Sequence, residues 1–260
     1  MRLVSLACSN TEILWALGSL DGLVGVDDHS DFPAASLKNV PRVGPDLDID
    51  LDKVAALEPD LVLATLTVPG HERVIAGLEK ACLPFLAPEP VSLGDVYGSV
   101  REIAGALGVA ARGEAVVADM RRQLAPASAA ERPSLLVQWW PKPVIAPCRD
   151  SWVSGLLEAA GGVNPLGERP GKSVPLSDEE VAQLDPDAIV LAWCGVDPAK
   201  YRPDVVYRKP AWQGLKAVTR GQIFCVPEAY LGRPGPRLTE GYRALRTIVE
   251  TVRAPRQPAS

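Results

Sequence analysis

Apolar residues along the chain fall into short runs separated by amphipathic stretches. The opening RLVSLACSNTEILWALGSLDGLVGV has an apolar run at 3–7, helical spacing over 11–17 closed by Gly18, and a second apolar run at Leu23–Val26. That order predicts strand, helix, strand, with Ser9 and Glu12 spaced as a capping box at the helix start. Further on, VAALEPDLVLA at 54–64 recurs as VAQLDPDAIVLA at 181–192. Each copy passes from a short amphipathic helix through an acid-Pro-Asp step into an apolar run. Pro ends the helix, and the runs at 61–64 and 188–192 lack alternation, as strands covered on both faces do.

The pattern between the two copies sets the domain organisation. Residues 92–124 hold LGDVYGSVREIAGALGV and GEAVVADMRRQL, two helical patterns parted by Gly108 and Gly113, with no strand pattern between them. APASAAERP then reads as a surface link. A second strand series follows at 135–139, 144–146 and QIFCVP, with helices in DSWVSGLLEAAGG and in the closing RLTEGYRALRTIVETVR. The reading is α/β: two Rossmann-like lobes, each a central mainly parallel sheet flanked by helices, joined by one long linker helix. The boundaries are an N-terminal lobe at 1–91, a linker-helix region at 92–130, a C-terminal lobe at 131–253 and a tail at 254–260.

Composition narrows the function. With 47% hydrophobic and 23% charged residues the chain is globular. Its net charge of −5 removes nucleic acid from the partners, since phosphate neutralisation needs a basic face. No apolar stretch reaches the roughly 18 residues that cross a bilayer. MRLVSLACSN carries one Arg and a short apolar run that reads as strand, so no signal peptide is expected in this chain. Its five cysteines are scattered, without CxxC, and imply neither a disulfide framework nor a zinc ribbon.

Residues just past the strand ends are the binding candidates, because ligands of open α/β sheets sit at the carboxyl ends of strands. They are Cys8, Ser9, Asn10, Asp28, His29, Thr65 to Pro69, Trp139, Trp140, Cys148, Arg149, Trp193, Cys194, Tyr230 and Arg233. Trp139, Trp140, Trp193 and Tyr230 are the residues able to form aromatic walls. The alternative for LVQWW and IVLAW is that the indoles fill the core, strand alternation burying one of Trp139 and Trp140.

Taken in order, VSLACSNTEILWALGSLDGLVGVDDHSDFP, VGPDLDIDLDKVAALEPDLVLA, LLEAAGGVNPLGE, LSDEEVAQLDPDAIVLA and RPGPRLTEGYRAL resemble the solute-binding proteins of ABC importers. The class resembled is the one whose lobes are joined by a single helix, and within it the vitamin B12 binders. The resemblance implies a monomer, periplasmic or anchored at the cell surface, that captures a corrinoid (cobalamin or cobinamide) between its lobes. It implies no catalytic cofactor, and delivery of the ligand to an ABC permease. The acids seven residues before the repeated prolines, Asp52 and Glu179, map onto the carboxylates that dock with permease arginines, with Asp at the first position where the family has Glu. An acid favoured at a helix start by the dipole is the alternative for each.

The chain departs from B12 binders where they place aromatics: it has His29 in DDHSDFP, Asp46 in VGPDLDID and Ser173 in the second lobe. These departures leave room for another corrinoid, for a base-off form with His29 as axial ligand to cobalt, or for a ferric siderophore, haem or other metal chelate or metal. The rival class is a cysteine- or metal-dependent enzyme built from Cys8, His29, His71, Cys148 and Cys194, with Cys8 and Cys148 activated by helix N-termini. No HExxH, GxSxG, Walker A or GxGxxG supports it.

Overall fold

A computed structural model of the chain describes residues 1–128 and 131–254. The expected tail at 255–260 and residues 129 and 130 of the surface link lie outside the described residues. The chain divides into two compact units, Met1–Arg121 with Pro234–Pro236, and Arg122–Arg233 with Arg237–Ser260. The three-residue return at Pro234–Pro236 has no counterpart in the sequence pattern.

Unit 1 runs β1 (Leu3–Ser5), α1 (Cys8–Ala16), β2 (Leu23–Val26), α2 (Ala34–Leu37), α3 (Leu51–Ala56), β3 (Leu61–Leu63), α4 (His71–Lys80), β4 (Phe85–Leu86), α5 (Leu93–Ala106) and α6 (Ala110–Gln123), whose last two residues fall in unit 2. Its sheet has the order β2-β1-β3-β4, and every pairing is parallel. Parallel neighbours need crossovers, and α1 and α4 supply them. Val4, Leu6, Val54, Val62, Ala64 and Leu78 form one buried cluster here. The stretch expected to carry the linker is helical, and it breaks at Gly108, where φ is +70. Gly113 lies inside α6, where a Cβ would come 2.5 Å from the Cβ of Ala104 on α5. Its small size lets the two helices approach closely.

Unit 2 continues with β5 (Leu135–Gln138), β6 (Trp140–Pro141), β7 (Val144–Pro147), α7 (Trp152–Ala160), β8 (Ser173–Leu176), α8 (Asp178–Leu184), β9 (Ala188–Leu191), α9 (Asp204–Tyr207), α10 (Lys216–Thr219), β10 (Ile223–Cys225) and α11 (Leu238–Arg253). The parallel sheet has the order β10-β9-β5, and a separate antiparallel sheet has the order β6-β7-β8. All four β9 residues are buried, as the unalternating run requires.

The capping box expected at Ser9 and Glu12 does not form. Helix α1 starts two residues earlier than that box requires, with Ala7 as N-cap, and both residues are buried within it. Tertiary hydrogen bonds claim the polar side chains of this turn: Thr11 Oγ1 donates to Ser5 Oγ at 2.8 Å and Asn10 Nδ2 to the Ala64 carbonyl at 2.7 Å. A true capping box starts α8, between Ser177 and Glu180.

The repeated phrase folds the same way twice. A residue with positive φ stands immediately before each proline: Glu58 at +45, one residue past the α3 C-cap Leu57, and Asp185 at +37, itself the C-cap of α8. The Asp after the proline then ties two strands together. Asp60 N–H donates to the Arg2 carbonyl at 2.8 Å while its carboxylate accepts from Arg2 N–H at 2.5 Å. Asp187 makes the same pair with Ser134, at 3.0 Å and 2.9 Å. Each phrase is a helix-to-strand turn that registers a new strand against an earlier one.

A left-handed conformation costs an L-residue about 1–2 kcal/mol. Glu58→Gly is therefore expected to stabilise the protein by roughly 0.5–1 kcal/mol in urea unfolding, after the entropy that glycine adds to the unfolded chain. Asp185→Gly should show no such gain, because its carboxylate accepts the Lys216 N–H at 2.8 Å. Equal responses at the two sites would contradict this account.

Candidate functional site

In unit 1 the connections leave β1 towards one edge of the sheet and β3 towards the other, so their carboxyl ends flank a topological switch point. Side chains of the fold close that point. Asn10 bridges to the Ala64 carbonyl, and Thr65 Oγ1 donates to the Pro88 carbonyl at 3.2 Å. Ser9, Asn10 and Thr65 are all buried, and the side chains of Asn10 and Thr65 tie loops together. Cys8 is half-buried, and its Sγ donates to Asp27 Oδ2 at 3.9 Å.

Asp27, fully buried at the end of β2, organises the next loop. Its carboxylate accepts from Ser30 Oγ at 2.5 Å and from His29 N–H at 2.9 Å. Arg42 braces the turn by donating to the Asp27 and Ser30 carbonyls, at 2.8 and 2.6 Å. Burial pushes the Asp27 carboxyl above the ordinary carboxylate range, although Ser30 and His29 both pull it down. The curled turn leaves the His29 side chain 52% exposed.

Two further loops converge on His29. Asp28 N–H donates to the Gly44 carbonyl at 2.9 Å, which places the 44–50 segment beside it. Gly44 has φ +108, and a Cβ there would lie 2.6 Å from the Asp48 carbonyl. Gly70, at φ +107, lets Leu47 pack over the start of α4. Asp46 is thereby set between two imidazoles, its Oδ1 3.7 Å from His29 Nε2 and its Oδ2 3.7 Å from His71 Nε2. The exposed apolar side chains of Leu47 and Val68 belong to the same loops. In the sequence Asp46 stands out only as a departure from a family pattern and His71 only as a member of a rival enzyme set, and nothing marks Leu47. No periodicity marks a residue whose place is fixed by three loops.

In unit 2 the candidates separate. Trp193 is a core residue, 6% exposed, and not an aromatic wall. Its Nε1 donates to Gln138 Oε1 at 2.9 Å, and its ring lies 5.4 Å from that of Tyr201. The polar atom of the indole finds its partner inside, so burial carries no penalty. Tyr201 is itself held in the protonated form, its pKa pushed up to about 12 mainly by burial. Trp140 is 41% exposed on β6 and Trp139 half-buried. Arg149 is exposed and pairs with Asp150 at 3.1 Å. Tyr230 is half-buried beneath the Arg237 guanidinium, 4.9 Å from the ring centroid. Arg233 is engaged with Glu228 at 3.5 Å.

The thiols do not form the reactive set that an enzyme would need. Burial pushes the Cys148 thiol up, the opposite of activation. Among the described residues, no group of three or more His, Cys, Asp or Glu could hold a metal ion. Asp52 and Glu179 are exposed, each the second residue of its helix, α3 and α8.

The family profile described as periplasmic binding protein matches residues 3–230. The chain is 30% identical over 254 residues to an uncharacterized ABC transporter substrate-binding lipoprotein of Bacillus subtilis, with 94% of this chain and 78% of the relative covered. It is 26% identical over 254 residues to a vitamin B12-binding protein of Vibrio cholerae, covering 96% and 89%. Among solved structures it is similar to the apo form of a periplasmic haem-binding protein from Roseiflexus sp. RS-1, with TM-score 0.81, 25% identity and coverage of 96% and 98%.

The raised pKa of Asp27 carries a pH signature. The folded chain holds this proton more tightly than the unfolded chain. The stability it contributes is therefore complete below the ordinary carboxylate range and lost as pH rises through the raised value. Asp27→Asn, with its amide turned to Ser30, is expected to raise the thermal midpoint at pH 8. The difference should close as pH falls well below about 3.9, where the wild-type carboxyl is protonated even when unfolded. A variant less stable than wild type at pH 8 would contradict the assignment.

Proposed function

We propose that this chain, which belongs to the periplasmic binding protein family and serves as the substrate-binding component of an ABC importer, captures a corrinoid. It is a binding protein and not an enzyme. The observation that carries the ligand assignment is the solvent-facing imidazole of His29, 3.7 Å from Asp46 on a loop that also exposes Leu47. A corrinoid is a broad macrocycle with apolar faces, an amide rim and a central cobalt. Apolar side chains suit its face, and an imidazole suits its metal. The likeness across nearly the whole chain to a vitamin B12-binding protein supports the same reading. A haem is the second reading: the same imidazole suits iron, and a haem binder shares the fold at 25% identity.

Calorimetric and absorbance titration with cobinamide, cobalamin and ferric haem tests this directly. A corrinoid is expected to bind most tightly. At a free concentration a hundred times its Kd it should raise stability by about 2.7 kcal/mol. Binding of haem with no response to either corrinoid would replace the first reading with the second. His29→Ala is expected to weaken cobinamide more than cobalamin, which brings its own axial base.

Delivery follows from the family. We place the protein in the periplasm or anchored at the cell surface; among the described residues, no helix is long and apolar enough to cross a membrane. Asp52 and Glu179 occupy equivalent second positions of two matching helices, free to meet arginines of the permease. Asp52→Lys combined with Glu179→Lys is expected to leave the corrinoid titration unchanged while abolishing capture by the permease in nanodiscs. Normal docking by the double variant would reduce both acids to helix-start residues.

A further inference from the structure

Both histidines of the chain lie against the same carboxylate. The three residues come from separate segments: the turn after β2, the 44–50 loop and the start of α4. The order of burial is graded. His71 has 5% of its side chain exposed, Asp46 38% and His29 52%.

The proton positions can be followed from the inside outward. Val68 N–H donates to His71 Nδ1 at 3.4 Å, so that nitrogen is the acceptor and the ring proton of neutral His71 sits on Nε2. His71 Nε2 is wholly buried without a hydrogen-bond partner. Buried polar atoms of that kind are rare and call for a physical reason. Here the nearby acceptor is Asp46 Oδ2, at 3.7 Å one small side-chain adjustment short of a hydrogen bond. The other oxygen of the same carboxylate faces His29 Nε2.

We propose that Asp46, buttressed by His71, is the positioning residue that holds His29 as a nitrogen donor to the metal of a bound corrinoid or haem. The inference rests on the macrocycle reading given above and deepens it. A metal-ligating histidine gives its other N–H to a carboxylate, which selects the tautomer and raises ligand basicity. A hydrogen bond from His29 Nε2–H to Asp46 Oδ1, closing the 3.7 Å between them, would leave the lone pair on His29 Nδ1. His29 is the outermost member of the series, so it is the one a ligand meets. The trio acts through a ligand and not as a cage for a bare ion, in keeping with the absence of such a group among the described residues. The loops cannot drift apart easily: Asp28 is bonded to Gly44, His29 N–H to Asp27, and Leu47 lies where a Cβ on Gly70 would be 3.2 Å away.

The test uses the whole chain and two probes, diaquocobinamide and ferric haem, followed by visible absorbance, with the thermal midpoint of the unliganded protein measured in parallel. His29→Ala should abolish the nitrogen-ligated spectrum. Asp46→Asn should move the spectrum in the same direction and weaken binding about ten- to a hundredfold, with the unliganded midpoint unchanged. Asp46→Glu should recover part of both, and His71→Gln should give a smaller shift of the same sign. A wild-type spectrum and affinity in Asp46→Asn, beside a clear effect of His29→Ala, overturns the positioning role and leaves the ligand reading standing. An Asp46→Asn effect that comes with a lowered midpoint and is not reversed by Glu also overturns it, the residue then serving the fold alone. No effect of His29→Ala with either probe removes the premise and the inference together, and no binding of either probe removes the macrocycle reading itself.

Discussion

Asp27 is a carboxylate taken out of water at the end of a parallel strand, and the loop that follows is arranged around satisfying it. A buried carboxylate without hydrogen bonds is costly, so the chain must curl until Ser30 and the His29 N–H reach it. Arg42 closes the same turn from the neighbouring segment. The result is a rigid bend that puts the His29 backbone inside and its imidazole outside. The acid that organises the turn and the imidazole that faces solvent are two residues apart, and each needs the other's placement.

The same economy appears in the phrase that occurs twice. Its Asp after proline takes a strand-start role in each unit, bonding to Arg2 in one and Ser134 in the other. Parallel strands cannot be joined by a short hairpin, so every new strand must be registered against one already laid down after a helical crossover. A side chain that accepts one N–H of the older strand, while its own N–H is given to that strand's carbonyl, does this locally. Asp52 and Glu179 sit at matching helix positions because the helix before that turn is part of the repeated unit. Equivalence of position therefore needs no separate cause; their use in docking is the separate proposal.

Polar residues that looked like ligand contacts divide by where their hydrogen bonds go. Ser9, Asn10 and Thr65 lie at the ends of β1 and β3, the region where open α/β sheets bind ligands, and they are buried, Asn10 and Thr65 bonding to the Ala64 and Pro88 carbonyls. Trp193 follows β9 as a wall residue would, yet Gln138 takes its indole N–H and Tyr201 packs against its ring. His29, Trp140 and Arg149 remain at the surface of their units. Position along the strand brought all of these forward equally; only the partners sort them.

The sequence by itself determined the element types and the α/β class, through unalternating apolar runs such as Ala188–Leu191, the helix-stopping Gly18 and the duplicated acid-Pro-Asp step. It also brought forward His29 and the two repeat acids. These are properties of a residue and its near neighbours, set by periodicity and backbone sterics, and so they are legible locally. Tertiary structure decided the start of α1, the left-handed residues before both prolines, the burial of Trp193 and the meeting of His29, Asp46 and His71. Each of these depends on a hydrogen bond or packing contact between segments far apart in the chain. Local propensities are worth fractions of a kcal/mol, whereas leaving a buried polar group unpaired costs about 1–3 kcal/mol, so the long-range partner overrides the local signal.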